Sequence, residues 1–144
     1  MNKFTDELKK WQEKRFAEKN IKAEWKIKAD RLFGDELLLE MLIRNIFENA
    51  FRATDEGGKI STYVYENEKN TVFEITDTGC GMEPEELEKI KEPFYRVDKS
   101  RSRKQGGTGL GVSLCQKIVE KHDGSMEYRS KKGVGTTVTV KIPL

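Results

Sequence analysis

Apolar residues change their spacing several times along this chain, and each change marks a new element. Phe4, Leu8, Trp11 and Phe16 recur at helical intervals among Lys and Glu. They predict an amphipathic helix over residues 5–20, with Thr5 or a neighbour as its cap. Ile21, Ala23, Trp25 and Ile27 then alternate with charged residues, which reads as a strand with one wet face. Asp35 is placed to cap a long helix over 36–53, halted by Gly57-Gly58, with Leu38, Met41, Leu42 and Ile46 on its inner flank. Residues 59–66 and 71–76 read as strands joined by the polar turn Asn67-Glu68-Lys69-Asn70.

Pro84 suits the first turn of a short acidic helix over 85–90. Residues 91–109 have little periodicity and are rich in Arg, Lys, Ser and Gly; an irregular stretch of that length inside a domain is usually functional or mobile. A helix over 112–122 follows, with Leu114, Ile118 and Val119 inward and Gly124 as its stop. Residues 125–131 and 136–142 form a hairpin around Lys132-Gly133-Val134-Gly135. Five strands and three main helices predict an α+β fold: a two-layer α/β sandwich whose five-stranded sheet is mixed, mostly antiparallel, and covered by helices on one face, in place of a βαβ fold.

A chain of 144 residues suits one domain over 1–144. Its net charge of +2 is too small to argue for nucleic acid or an acidic membrane surface. Every apolar run falls short of the ~20 residues of a membrane span. The charged, helix-like opening argues against a signal peptide. Cys80 and Cys115 lack metal-ligand spacing and read as free thiols of a cytosolic protein, where nucleotide is available.

Candidate chemistry falls in three separated places. Asp77-Thr78-Gly79-Cys80-Gly81-Met82 puts a carboxylate where a strand ends, followed by two glycines that let the backbone come close. An ionised carboxylate only accepts hydrogen bonds, so it suits the exocyclic amino group of adenine and disfavours the carbonyl of guanine. It could equally cap its own turn through the Gly79 amide. On the long helix, Asn45, Asn49 and Arg52 share a face beside the apolar stripe. An amide oxygen there could bind Mg²⁺ brought with a triphosphate, or tie the helix to a loop. Gly106-Gly107-Thr108-Gly109-Leu110-Gly111 precedes a helix start, where exposed amides make an anion site. It is neither a P-loop nor a dinucleotide fingerprint, and a flexible hinge is the alternative. The basic run Arg96, Lys99, Arg101, Arg103 and Lys104 favours phosphate.

Taken in order, these motifs resemble the catalytic and ATP-binding domain of sensor histidine kinases, within the group that includes DNA gyrase, the Hsp90-type chaperones and mismatch-repair ATPases. Residues 45–52 resemble that family's asparagine box, 77–81 its first glycine box, 92–101 its phenylalanine box and lid, and 107–111 its second glycine box; 132–137 match the final hairpin. The resemblance spans nearly the whole chain and implies a Bergerat-type fold with a mobile ATP lid at about 91–109. It implies that Asn49 ligates Mg²⁺, that Asn45 lies near the same metal and phosphates, and that Arg52 reaches a phosphate. Asp77 would take the adenine amino group, with Gly79 in the same loop and Gly81 admitting the base. Phe94 would anchor the lid, and Arg96 and Arg101 would meet the phosphates as it closes. Gly107, Thr108, Gly109, Leu110 and Gly111 would wrap the triphosphate, and Thr136 would complete the adenine site.

In hydrolysing relatives the residue four before the metal-binding asparagine is a glutamate that activates water. Here it is Asn45, and an amide is no general base. Glu48 lies about 100° away round the helix and is no simple substitute. The resemblance therefore implies transfer to an outside acceptor, a histidine on a separate phosphoacceptor domain, with a response regulator downstream. The one histidine, His122, sits at a helix C-terminus, where a structural role is expected. That leaves an ATP-binding domain without its dimerisation and phosphoacceptor hairpin, cytoplasmic or the cytoplasmic part of a membrane-bound sensor, touching neither nucleic acid nor membrane. A free-standing serine kinase resembling the anti-sigma factors and a non-enzymatic ATP switch share these motifs.

Overall fold

The computed structural model describes residues 1–89 and 110–144. Helix α1 (Asn2–Phe16) continues into a 3-10 turn, Ala17–Lys19, and ends where Asn20 turns left-handed at φ 53°. Strand β1 (Lys22–Lys28), helix α2 (Glu36–Ala53), strands β2 (Lys59–Glu66) and β3 (Asn70–Asp77) and helix α3 (Pro84–Lys89) follow. Helix α4 (Leu110–Lys121) and the hairpin β4 (Ser125–Lys131) and β5 (Gly135–Pro143) complete the described elements. The sheet order is β1-β2-β3-β5-β4. Only β1 and β2 run parallel, with Lys22 opposite Lys59; the other pairs are antiparallel. The fold is thus the expected two-layer α+β sandwich with a mixed sheet. It contains one βαβ crossover, β1–α2–β2, that the sequence pattern did not disclose.

The core forms where the inner sheet face meets α1, α2 and α4. Phe47 of α2 is fully buried at its centre, ringed by Trp11, Phe16 and Trp25 at centroid distances of 6.3, 6.3 and 5.7 Å. Burying such a ring contributes about 1.5–3 kcal/mol. It also fixes the rotation of α2. Ile46 and Ala50 are buried, so Asn45 and Asn49, each one residue earlier and about 100° round, fall at the margin of the core.

Several local expectations are corrected. Thr5 does not cap α1: the helix starts at Asn2, and the Thr5 hydroxyl donates back to Met1 and Asn2 carbonyls, a bond that lets threonine sit inside a helix. Asp35 caps α2 as expected, accepting from Leu38 N at 3.1 Å. The helix ends at Thr54, however, before the glycines: Thr54 is extended and its buried hydroxyl bonds Ala50 O. The inner face of α2 is Leu39, Leu42, Ile43 and Ile46; Leu38 is only partly buried and Met41 is exposed. In α4, Cys115 with Ile118 and Val119 faces inward while Leu114 is exposed. The left-handed residue ending α4 is Asp123 at φ 55°, one before Gly124. The lid expected at about 91–109 lies outside the described residues.

His122 is structural. Its Nδ1 donates to Ile118 O at 2.7 Å and its Nε2 accepts from Asp35 N at 3.0 Å. Both ring nitrogens are committed: Nδ1 holds the ring to the last turn of α4, and Nε2 joins it to the cap of α2.

Candidate functional site

Asp77 follows Phe73 and Ile75 in two-residue steps, so strand geometry turns it to the inner face of the sheet. It is 6% exposed. Its Oδ1 accepts from Gly79 N at 2.8 Å and from Thr136 N at 3.2 Å. Among the described residues no hydrogen bond reaches Oδ2. Burial pushes the Asp77 carboxyl above the usual carboxylate range, and the two amides oppose that rise. The expected turn cap through Gly79 is therefore present, but it uses one oxygen of two. The other is an acceptor held in a poorly solvated place, which favours a ligand that donates.

The loop after Asp77 is clasped between α2 and the β4–β5 hairpin. Cys80 N donates to Ala53 O at 3.2 Å, and a Cβ on Gly79 would come within 2.5 Å of that carbonyl. Asn49 is exposed one turn before Ala53, about 6 Å along the axis. Asn45 is half-buried one turn further back, with its Nδ2 donated to Met41 O at 2.8 Å and its oxygen turned from that bond. The loop thus abuts the end of the helix that carries the asparagines. The amides themselves are exposed or half-buried. Lys19 steadies the same helix end by donating to Phe51 O and Thr54 O at 2.8 and 3.2 Å.

Arg52 is half-buried, with Nη2 3.8 Å from Glu48 Oε1. Glu48 is gripped more closely by Arg15, at 2.6 and 3.1 Å. Its carboxylate is therefore drawn toward α1, a second reason that it is no ready general base.

On the hairpin side, Gly81 stands at φ 69°, and the Cβ it lacks would meet Lys131 O at 2.0 Å. Close packing against that backbone accounts for this glycine directly. Gly133 N donates to Cys80 O at 2.7 Å, and Gly135 brings its backbone against Asp77 O. Ser130 Oγ accepts from Met82 N at 2.7 Å and contacts Thr136 Oγ1 at 2.7 Å. Thr136 thus reaches Asp77 by its amide, while its hydroxyl goes to Ser130.

Leu110 and Gly111 lie inside the first turn of α4, because this helix begins earlier than the expected residue 112. Phe94, Arg96, Arg101, Gly107, Thr108 and Gly109 lie outside the described residues. Among the described residues no group of three His, Cys, Asp or Glu could hold a metal ion. The exposed Asn49 amide fits a Mg²⁺ whose other ligands are phosphate and water.

Ser130, Gly135 and Lys19 had drawn no attention as site residues in the sequence. Of the partners of Ser130, Met82 lies 48 residues away, outside any local motif, while Thr136 faces it across the hairpin. Gly135 had a signal, a glycine at a strand start, that also fits an ordinary turn.

Residues 34–144 match the family model described as histidine kinase-, DNA gyrase B-, and HSP90-like ATPase. Sensor protein SrrB of Staphylococcus aureus (strain NCTC 8325 / PS 47) is 38% identical over 119 residues, which cover 83% of this chain and 19% of that protein. The chain therefore spans about a fifth of the length of the curated relatives it matches. Among solved structures, a mycobacterial sensor histidine kinase, MprB, is similar with a TM-score of 0.84 at 25% identity, covering 96% of this chain and 94% of that one. The nucleotide-free catalytic domain of histidine kinase ThkA gives a TM-score of 0.84 at 26% identity over 99% of this chain and 92% of that one.

Proposed function

The chain belongs to the histidine kinase-, DNA gyrase B-, and HSP90-like ATPase family, and from that premise we propose that it is the ATP-binding catalytic domain of a sensor histidine kinase. It positions Mg-ATP for γ-phosphoryl transfer to a histidine on a separate phosphoacceptor domain, in the same longer chain or a partner, with a response regulator downstream. The observation that carries this reading is the Asp77 carboxylate, with one oxygen fixed by two backbone amides and the other available to a donor. Asp77 accepts the adenine amino group, and Thr136 completes that end of the site. Asn49 offers its amide oxygen to Mg²⁺, Asn45 lies behind it, and Arg52 reaches a phosphate. Phe94, Arg96, Arg101 and residues 107–111 are assigned to the triphosphate end of the site, on the resemblance of their motifs. Mg²⁺, when bound, neutralises charge that builds on the phosphates. The work of the chain is positioning and charge neutralisation, with no general base on α2.

A cytoplasmic location belongs to this proposal, because ATP must reach the site. Among the described residues no helix is long and apolar enough to cross a membrane.

The test mixes the chain with a matching phosphoacceptor hairpin and γ-labelled ATP. Label should appear on the hairpin in an acid-labile form, and Asn49→Ala should slow its appearance by about a hundredfold or more, the scale of a lost metal contact. Label that stays wholly on nucleotide sinks the proposal, and acid-stable label on a partner serine converts it to the anti-sigma-like reading. A companion variant separates the two carboxylates of interest. Glu48→Gln should leave the transfer rate within about twofold and cost at most ~1 kcal/mol of stability, as for a partly exposed ion pair. A large drop in rate with unchanged ATP affinity would make Glu48 the base after all.

A further inference from the structure

The geometry points to Ser130 as a positioning residue that sets which way the Thr136 hydroxyl faces, and through it the preference for a 6-amino purine. This rests on the reading of Asp77 as the adenine acceptor. Ser130 and Thr136 are register partners across β4 and β5. The Ser130 hydroxyl makes three contacts: Met82 N at 2.7 Å, Gly135 O at 3.1 Å and Thr136 Oγ1 at 2.7 Å. A serine hydroxyl has one proton and two lone pairs, so three bonds exhaust it.

The direction of each bond follows by elimination. The Met82 amide can only donate, so it takes one lone pair. The Gly135 carbonyl can only accept, so it takes the proton. The remaining lone pair must receive the Thr136 proton. Thr136 Oγ1 therefore has only lone pairs left to offer. Its own amide is bonded to Asp77 Oδ1, and the β3–β5 register, with Thr76 opposite Thr137, sets Thr136 across from Asp77 on the same face of the sheet.

Two acceptors side by side select a base edge by its protons. Adenine meets them with its amino group, directly or through a water that donates one hydrogen to Thr136 and the other to ring N1. In hypoxanthine that ring nitrogen carries a proton and position 6 is an oxygen, so the same water faces a donor where it needs an acceptor. With Ser130 removed, the Thr136 proton is free to turn toward the site, and the contrast between the two bases weakens.

The experiment titrates the wild-type chain and its Ser130→Ala, Ser130→Thr and Thr136→Val variants with Mg-ATP and Mg-ITP by calorimetry. The ratio of the two affinities in Ser130→Ala should fall about fivefold or more, the scale of one hydrogen bond. Ser130→Thr, which keeps the hydroxyl, should retain the wild-type ratio. In the Thr136→Val background, Ser130→Ala should change the ratio no further, because the group it orients is gone. An unchanged ATP-to-ITP ratio in Ser130→Ala, with both affinities lowered alike, overturns the inference and leaves Ser130 as a strut. Failure of the wild-type chain to bind Mg-ATP at all overturns the adenine reading itself, and this inference with it.

Discussion

Replacing Asp77 by Asn should lower Mg-ATP affinity by at least about a hundredfold while leaving the fold intact. Two effects add. The charged hydrogen bond to the adenine amino group is lost, worth about 1.5–3 kcal/mol. In addition, the side chain cannot choose its orientation freely. The Gly79 and Thr136 amides both donate to Oδ1. An asparagine satisfies them only with its oxygen in that place, so its NH₂ takes the position of Oδ2. A donor then faces the donor of adenine, and an inosine nucleotide, with oxygen at position 6, should bind no worse than ATP. Calorimetry with both nucleotides checks this, and retention of the ATP preference would mean that Asp77 only caps its turn.

The same substitution should behave oppositely toward stability. Burial raises the Asp77 carboxyl in the folded state above its unfolded value. Its contribution is therefore fully present below about pH 4 and is lost as pH rises through the raised folded value. At neutral pH the nucleotide-free Asp77→Asn protein should melt no lower than wild type. Any advantage should vanish as the pH falls to about 4. Function and stability pull apart at this residue, as expected for a binding group kept charged in a poorly solvated place.

What the sequence disclosed and what it hid follow from the range of each interaction. Asp77 was legible because strand alternation is local: Phe73, Ile75 and Asp77 share a face whatever surrounds them. The asparagine helix was legible from its cap and length. Its inner face was misread by one position because Leu37, Leu38 and Leu39 are apolar in succession, so a helical stripe fits in two registers about 100° apart. Contacts with α1 and α4 decide between them, and those are tertiary. The exit of α4 offered Asp123 and Gly124, and aspartate tolerates a left-handed backbone well enough to take the place. The parallel pairing of β1 with β2 could not be read from either strand, since alternation carries no strand direction. Ser130 was hidden because its partners come from two places on the chain, and Met82, 48 residues away, reaches it only after the loop following β3 packs on the β4–β5 hairpin.

Gly135→Ala should be a severely damaging single methyl at the site, costing more than about 3 kcal/mol and abolishing nucleotide binding, since strain and overlap add. At φ 142° an L side chain is strained before any contact is counted. The added Cβ would also sit 2.1 Å from the Asp77 carbonyl oxygen and 3.3 Å from Thr78 Cα, both backbone atoms that cannot swing aside. Relief requires β5 to part from the end of β3, which breaks the Thr136 bond to Asp77. Gly133→Ala and Gly57→Ala provide the contrast. They too have positive φ, 83° and 82°, but nothing lies within 4 Å of the new Cβ. Each should cost only the backbone strain, about 1 kcal/mol, or roughly 3 °C in melting temperature. Gly135→Ala should fall by roughly 10 °C on the same scale, and saturating Mg-ATP should no longer raise its melting point. Equal small shifts for all three glycines would mean that β5 yields at its start without disturbing Asp77, and that the hairpin is not what holds the carboxylate.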